Sequence, residues 1–292
     1  MGRPHSPVGQ NLARLNRVVD LVEANLDRVL VLDELARAAA FSPFHFHRVF
    51  HELYGETPRD FVRRRRLEHG ASLLHYSRSQ IGRIATACGF GTADGFTRAF
   101  RHRFGVSPVQ WRQHGFAQWQ NRWSPPPDIV FDTSRWNVRV VTLPAVRVAY
   151  RRHIGPYGSA GESQWLLLGE WMEDMRICGL TRYGIGMDNP AITPGEHCRY
   201  DICTELPAGF VVPPRTPVRT IPGGRYAILE YAGPPQRSGE AWVWLLEEWL
   251  PASGYNMDRM LCFERYLPDM RNPGPEDQSC ELCVLLGNPM LI

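Results

Sequence analysis

Residues 35–58, LARAAAFSPFHFHRVFHELYGETP, and residues 84–108, IATACGFGTADGFTRAFRHRFGVSP, are two versions of one pattern. Leu35, Ala36 and Phe41 recur 49 residues later as Ile84, Ala85 and Phe90. After one inserted residue, Phe46, Arg48, Phe50, Gly55 and Pro58 recur 50 later as Phe96, Arg98, Phe100, Gly105 and Pro108. A match at fixed offset means a duplicated structural unit. Each copy reads as a short helix (Asp33 to Ala40; Ile81 to Cys88), a turn of three or four residues and a second helix, the grammar of a helix-turn-helix. Ser42 with Pro43, and Thr92 in the second copy, are helix-start signals.

Helical periodicity assigns a core stripe to Phe46, Val49, Phe50 and Leu53, and in the second copy to Phe96, Ala99, Phe100 and Phe104. Phe44, His47, Arg48 and His51 are then left on the outer face of one helix, and Asp94, Thr97, Arg98 and Arg101 on that of the other. A major groove accepts such a helix, and an Arg fork can donate to both O6 and N7 of a guanine. Arg48 and Arg98, equivalent in the two copies, are therefore candidate base readers; a phosphate contact or plain solvation is the blander reading of each. Asp94 either accepts from a cytosine amino group or is a helix-start charge turned away. A helix from Thr57 to His75 joins the copies, and its run Arg63 to Arg66 reads as a solvated basic face with one or two phosphate contacts.

Charge separates the chain into two halves. All 33 basic residues are Arg; 17 of them, against 10 acids, lie in residues 1–115, giving that part +7, and the remainder carries −4. Eight of the 10 His also lie in the first 115 residues. A basic half suggests a polyanion partner, and an acidic half something else. The 7 Cys, in a chain without a secretory leader pattern, read as reduced thiols. Cys280 and Cys283 form a C-x-x-C inside an apparent strand, where residues three apart point to opposite faces. His47 and His51 lack a third ligand at useful spacing. No metal or cofactor is expected, and no apolar run approaches the roughly 18 residues of a membrane span. A soluble, cytoplasmic protein follows from these readings.

A second repeat follows a Pro-rich stretch around Pro125, Pro126 and Pro127. At a constant offset of 78, Leu143-Pro144 matches Ile221-Pro222, Ala149 matches Ala227, Gly155-Pro156 matches Gly233-Pro234, and Leu167, Leu168, Glu170 and Trp171 match Leu245, Leu246, Glu248 and Trp249. Each copy reads as a strand, a glycine-containing turn, an amphipathic helix and two more strands, a doubled βαββ unit. The expected fold class is multidomain α and α+β: an all-α double helix-turn-helix, then a duplicated βαββ domain. Residues 1–10 are expected to be disordered, 11–116 to form the helical domain, 117–136 a linker, and 137–292 the second domain.

The third segment of each βαββ copy carries the best clue to chemistry. Tyr183, Ile185 and Met187 alternate with Gly184 and Gly186 in one copy; Leu261 and Phe263 alternate with Cys262 and Glu264 in the other. The repeat mates of Glu264 and Cys262 are glycines, so a carboxylate would face an emptied surface with room for a ligand. Burial raises a carboxyl pKa, and a cationic ligand restores the charged form. Tyr157, Trp171, Tyr231 and Tyr266 are candidates to add cation–π attraction. The alternative is a surface pair between Glu264 and Arg265 or another Arg, with the tryptophans serving only as core.

Leu35-Ala36, Phe50, Tyr54-Gly55, Thr57-Pro58, Arg66-Leu67, Ile84-Ala85, Gly89-Phe90, Phe96, Phe100, Phe104-Gly105, Ser107-Pro108 and Arg112 together resemble the AraC/XylS DNA-binding domain, across about residues 15–116. The resemblance implies two recognition helices in successive major-groove segments of double-stranded DNA, and contact with RNA polymerase. The family's base-contacting positions fall on Phe44, His47 and Arg48, and on Ala93, Asp94, Thr97 and Arg98. Asp94 departs from the uncharged residue often found there. Residues 137–286 resemble the GyrI-like effector-binding domain through Gly155-Pro156-Tyr157, the segment Gly184 to Pro190 with Asp188, Cys198 to Asp201, Ile221 to Ala227, and Phe263-Glu264-Arg265-Tyr266. That resemblance implies a pocket for amphipathic, often cationic small molecules with its acidic residue at Glu264. The combined expectation is a ligand-responsive transcription regulator without catalytic residues. A GyrI-like hydrolase and a protein-interaction module tethered to DNA stay open as alternatives.

Overall fold

The computed structural model describes residues 7–115, 136–158, 161–214, 216–270 and 278–287, and divides near Gln120 into two units, each described by itself. The first is helical: α1 (Pro7–Glu23), α2 (Leu32–Ala38), α3 (Pro43–Tyr54), α4 (Pro58–Tyr76), α5 (Ile81–Ala87), α6 (Ala93–Phe104), and a turn Pro108–Gln110 running into Trp111–Gly115. α1 starts inside the segment expected to be disordered, so residues 7–10 are helical. Pro7 suits a first helical turn, where a missing N–H leaves no bond unmade. Residues 1–6, and all of the expected linker except Trp136, lie outside the described residues.

The duplication is visible atom by atom. Ser42 and Thr92 cap α3 and α6 by accepting from the His45 and Gly95 amides at 3.4 and 3.0 Å. α3 and α6 both stop on a left-handed glycine, Gly55 at φ 70° and Gly105 at φ 77°, a conformation that side chains disfavour. The rings Phe50, Tyr54 and Phe61 pack with centroids 4.6 to 5.4 Å apart, and their equivalents Phe100, Phe104 and Trp111 repeat the cluster at 4.5 to 5.5 Å. Leu53, expected in the core stripe, is instead 36% exposed, and Tyr54 is buried in its place. Tyr54 is the repeat equivalent of Phe104 and lies one turn after Phe50, so the aromatic row decides which side faces inward.

The arginine run of α4 also differs from expectation. α4 is buried on nearly every side, through Phe61, Val62, Leu67, Gly70, Ala71 and Leu74. Arg64 and Arg65 are buried with it: Arg64 binds Glu56 (2.6 Å) and Glu68 (3.0 Å), and Arg65 binds Glu23 (2.7 Å) and Glu68 (2.7 Å). Arg66 donates to the Arg28 carbonyl at 2.5 Å, and of the four only Arg63 is fully exposed. The run is a structural ion network. Buried guanidinium groups must be paired because desolvation is costly, and here the partners come from α1, α4 and the α3–α4 turn.

The second unit is one antiparallel eight-stranded sheet: β1 (Val138–Leu143), β2 (Val146–Ile154), β3 (Arg182–Gly186), β4 (Arg199–Glu205), β5 (Val218–Ile221), β6 (Gly224–Gly233), β7 (Met257–Tyr266) and β8 (Gln278–Leu286). Their order is β1-β6-β8-β7-β3-β4-β2-β5. A short strand, β1 or β5, thus precedes each βαββ copy and pairs with the other copy, β1 on β6 and β5 on β2. At the sheet centre Ile185 faces Phe263, its own mate at the 78-residue offset, so the pseudo-twofold axis passes through that pair.

This topology forces the sheet to curl. β1 lies at one edge and is joined to β2, six strands away, by Pro144 and Ala145 alone. Six flat steps would span about 29 Å, whereas a two-residue link reaches about 11 Å. The Pro222-Gly223 link from β5 to β6 imposes the same closure, and the links touch: a Cβ on Gly223 would lie 2.7 Å from the Ala145 nitrogen. One sheet face carries a core of Val148, Tyr150, Tyr183, Ile185, Tyr226 and Phe263 among others. The other carries the helix Gly161–Asp174, whose Leu168 and Met172 pack on Ala149 and Ile202. The second helix, Ser238–Val243, continues through a π-type stretch Trp244–Trp249 into Leu250–Ala252. Pro251 has no N–H for an ordinary helical bond there, which fits the wider turn.

Candidate DNA interface and ligand site

In the first unit, the outer faces of α3 and α6 present the side chains that the helical period singled out. Phe44 is 83% exposed, and His47, Arg48 and His51 are exposed beside it. On α6, Ala93, Asp94, Arg98 and Arg101 are exposed and Thr97 is half-buried. Arg48 leans along its own helix, 3.8 Å from Glu52 and 3.4 Å from the His45 ring nitrogen. An exposed pair of this kind contributes little and yields readily to a nucleic acid. Asp94 falls in the first turn of α6, where a negative charge complements the helix dipole. Neither Arg48 nor Arg98 belongs to the core network, so both forks are available for the equivalent roles read from the repeat.

In the second unit, strand alternation sets Cys262, Glu264 and Tyr266 on the helix-bearing face. The register places Gly184 beside Glu264 and Gly186 beside Cys262, as the repeat arithmetic requires. The emptied surface, however, is filled by two tyrosines. Tyr200, opposite Gly186 on β4, reaches across β3 to donate to Glu264 Oε2 at 2.5 Å. A Cβ on Gly184 would fall 1.7 Å from that hydroxyl, and one on Gly186 would lie 3.3 Å from the Tyr157 hydroxyl. The glycines make room for phenols of the protein, which take the space directly over Gly184 and Gly186.

Tyr266 donates to the same Oε2 at 2.8 Å, and the Trp242 indole N–H approaches Oε1 at 3.4 Å. Trp165 stands over Tyr266 at 5.3 Å between centroids, with the Arg182 guanidinium 5.6 Å from the Trp165 ring. Burial first, and the Glu264 carboxylate second, push the Tyr200 and Tyr266 phenols well above their usual range. They therefore remain neutral donors, which orient the carboxylate without cancelling its charge. Arg265 points to the opposite face and pairs with Glu281, so the surface pair with Glu264 does not form. Among the described residues no cation lies within ion-pair distance of Glu264. With only one weak donor on Oε1, the carboxylate keeps accepting capacity for a ligand.

Of the predicted ligand-site residues, Glu264 and Tyr266 come together. Tyr157 reaches the site only through the Tyr200 ring, 5.9 Å away, and its hydroxyl is bound to the backbone of Asp188 and Arg199. Trp171, on the Gly161–Asp174 helix itself, is half-buried against the core that the helix covers, and Tyr231 donates to the Pro234 carbonyl at 2.7 Å. These three are scaffold, because their polar atoms or ring faces are already used. Tyr200, Trp165 and Trp242 escaped the sequence reading. The signal for Tyr200 was the glycine pair itself: a strand stripped of side chains can be bridged only by a long residue on the next strand.

Among the described residues no helix is long and apolar enough to cross a membrane, and no group of three His, Cys, Asp or Glu is placed to hold a metal. Residues 137–286 match the model of the GyrI-like small molecule binding domain, and residues 35–114 match a helix-turn-helix domain model. The chain is 44% identical over 82 residues to the HTH-type transcriptional regulator Rv1931c of Mycobacterium tuberculosis, a match covering 28% of this chain and 32% of that protein. It is 34% identical over 93 residues to the transposon Tn10 TetD protein of Escherichia coli, covering 32% of this chain and 67% of that one. It is 29% identical over 151 residues to the SPbeta prophage-derived putative transcriptional regulator YosT of Bacillus subtilis, covering 50% of this chain and 97% of that one. The chain belongs to the GyrI-like small molecule binding domain family and carries an AraC-type helix-turn-helix domain ahead of that domain.

Proposed function

We propose that this protein is a cytoplasmic, ligand-responsive transcription regulator, which reads an operator with Arg48 and Arg98 and senses an amphipathic cation at Glu264. The observation that carries the sensing half is a carboxylate bordered by aromatic side chains and held, among the described residues, only by neutral donors. Such a site attracts a cation through the uncancelled charge, with the aromatic groups Trp165, Trp242 and Tyr266 grouped around it. The reading half rests on two equivalent, capped helices whose exposed faces carry Arg at the same repeat position. RNA polymerase is the proposed partner when the protein is on DNA.

A hydrolase at the same carboxylate is disfavoured by the phenols. Tyr200 and Tyr266 stay protonated at neutral pH, so neither supplies a ready nucleophile or base. Sequencing genomic DNA captured by the full chain tests the regulator reading. The expected result is one recurring motif with two half-sites about one helical turn apart; fragments sharing no motif would overturn it.

A further inference from the structure

We propose that the second unit has another binding site, on the sheet face opposite Glu264, for a single-ring aromatic cation of benzamidine size. Closure of the sheet creates it. Where the two-residue links cross, the sheet edges meet without pairing, and a hollow of about 150 Å³ remains beneath them. Leu143, Val146, Ile221, Tyr226 and Phe263 make its apolar walls. A cavity of roughly this volume lined by apolar side chains holds one benzene ring. Nucleotides, lipids and peptides are too large for it.

Polar groups in the lining select the charge. Tyr183 is 4% exposed, and its hydroxyl makes no hydrogen bond among the described residues. The Glu205 carboxylate likewise has no ion-pair partner among them. Burial first and Glu205 second push the Tyr183 phenol up, which puts carboxylate and phenol within electrostatic reach of each other. The third polar group, Arg265, is already compensated: its Nε donates to Glu281 at 2.5 Å, and Arg139, which shares that carboxylate, also pairs with Glu230 at 3.5 Å, so these four charges cancel. The uncompensated charge facing the hollow is therefore negative, and a ring bearing an amidinium or ammonium group would satisfy Glu205 and the Tyr183 oxygen together. The edge-on pair Tyr226 and Phe263, 5.3 Å apart, supplies ring contacts.

This site is independent of the proposed sensor site, since Phe263 and Arg265 flank Glu264 on β7 but face the other way. Benzamidine and the neutral, similarly sized benzyl alcohol are titrated calorimetrically into the full chain. Benzamidine should bind saturably, weaken at least tenfold in Glu205→Gln and be lost in Val146→Phe, which fills the hollow. Benzyl alcohol should bind without regard to Glu205→Gln. The Glu205-dependent benzamidine isotherm should persist in Glu264→Gln. Absence of saturable benzamidine binding, indifference to Glu205→Gln, or loss in Glu264→Gln instead would overturn the assignment. Should Val146→Phe unfold, Tyr183→Phe takes its place, with a several-fold loss expected and no change counting against the site.

Discussion

Replacing Glu68 tests whether the arginine run of α4 belongs to the fold. Glu68 is 3% exposed and bonds Arg64 at 3.0 Å and Arg65 at 2.7 Å, both of them buried. Removing one partner from a buried pair costs about 3–5 kcal/mol. Each guanidinium keeps a second carboxylate, Glu56 or Glu23, so Glu68→Leu should sit at the low end, about 3 kcal/mol. Glu68→Gln keeps an acceptor and loses the charge; with about 1 kcal/mol separating charged from neutral hydrogen bonds, two bonds predict about 2 kcal/mol. Urea unfolding followed at 222 nm weights the helical unit. With a slope of about 1.5 kcal/mol/M, the midpoint of that transition should fall by about 2 M for Leu and somewhat over 1 M for Gln. A fall below about 0.5 M in both, the size of an exposed pair, would refute the network and return the run to solvent.

Arg48→Ala and Arg98→Ala should each cost about 1–3 kcal/mol on the cognate operator and relax preference at one base pair, measured by gel shift on single-substitution operator sets; uniform weakening on all sequences would reduce them to phosphate contacts. Arg64→Gln, by contrast, should leave the salt slope of DNA binding unchanged, whereas a slope lower by about 1 would mean it contacts phosphate. Gly184→Ala should displace the Tyr200 hydroxyl from Glu264 and weaken tetraphenylphosphonium binding about tenfold by calorimetry, an order-of-magnitude estimate for losing one charge-assisted bond; unchanged affinity would contradict the role given to Tyr200. His69 is half-buried, and that burial first and Arg65 second lower its pKa. The unfolded chain then binds the proton more readily, so the helical unit should keep full stability above about pH 6.5 and lose it as pH falls toward the folded pKa. His69→Gln should flatten that slope between pH 7.5 and 5.5; an identical slope in the variant would assign the effect elsewhere.

Both repeats, the helix starts at Ser42 and Thr92, and the facing of Gly184 and Glu264 were legible in the residues, because offset and periodicity survive as arithmetic. Long-range partnerships were not. Arg64 and Arg65 looked solvated because Glu23 is 42 residues from Arg65, and no local pattern announces that carboxylate. The exchange of β1 and β5 between copies was likewise hidden, since short edge strands carry little periodicity of their own. At the ligand site the two glycines were read as space, yet a side chain two strands from Glu264 fills it. Tyr157, Trp171 and Tyr231 stand out in the sequence by ring type alone, and their hydroxyl and packing partners are settled by tertiary contacts that spacing does not encode.

The central claim is that Glu264 is the anionic anchor of a cation sensor coupled to a DNA reader. It is tested most directly by calorimetric titration of tetraphenylphosphonium into the full chain and into Glu264→Gln, with operator affinity measured for both in the absence of ligand. Binding should weaken by at least tenfold in the variant, about 1.4 kcal/mol or more, while operator affinity stays the same. Equal ligand affinity in the two proteins would contradict the account.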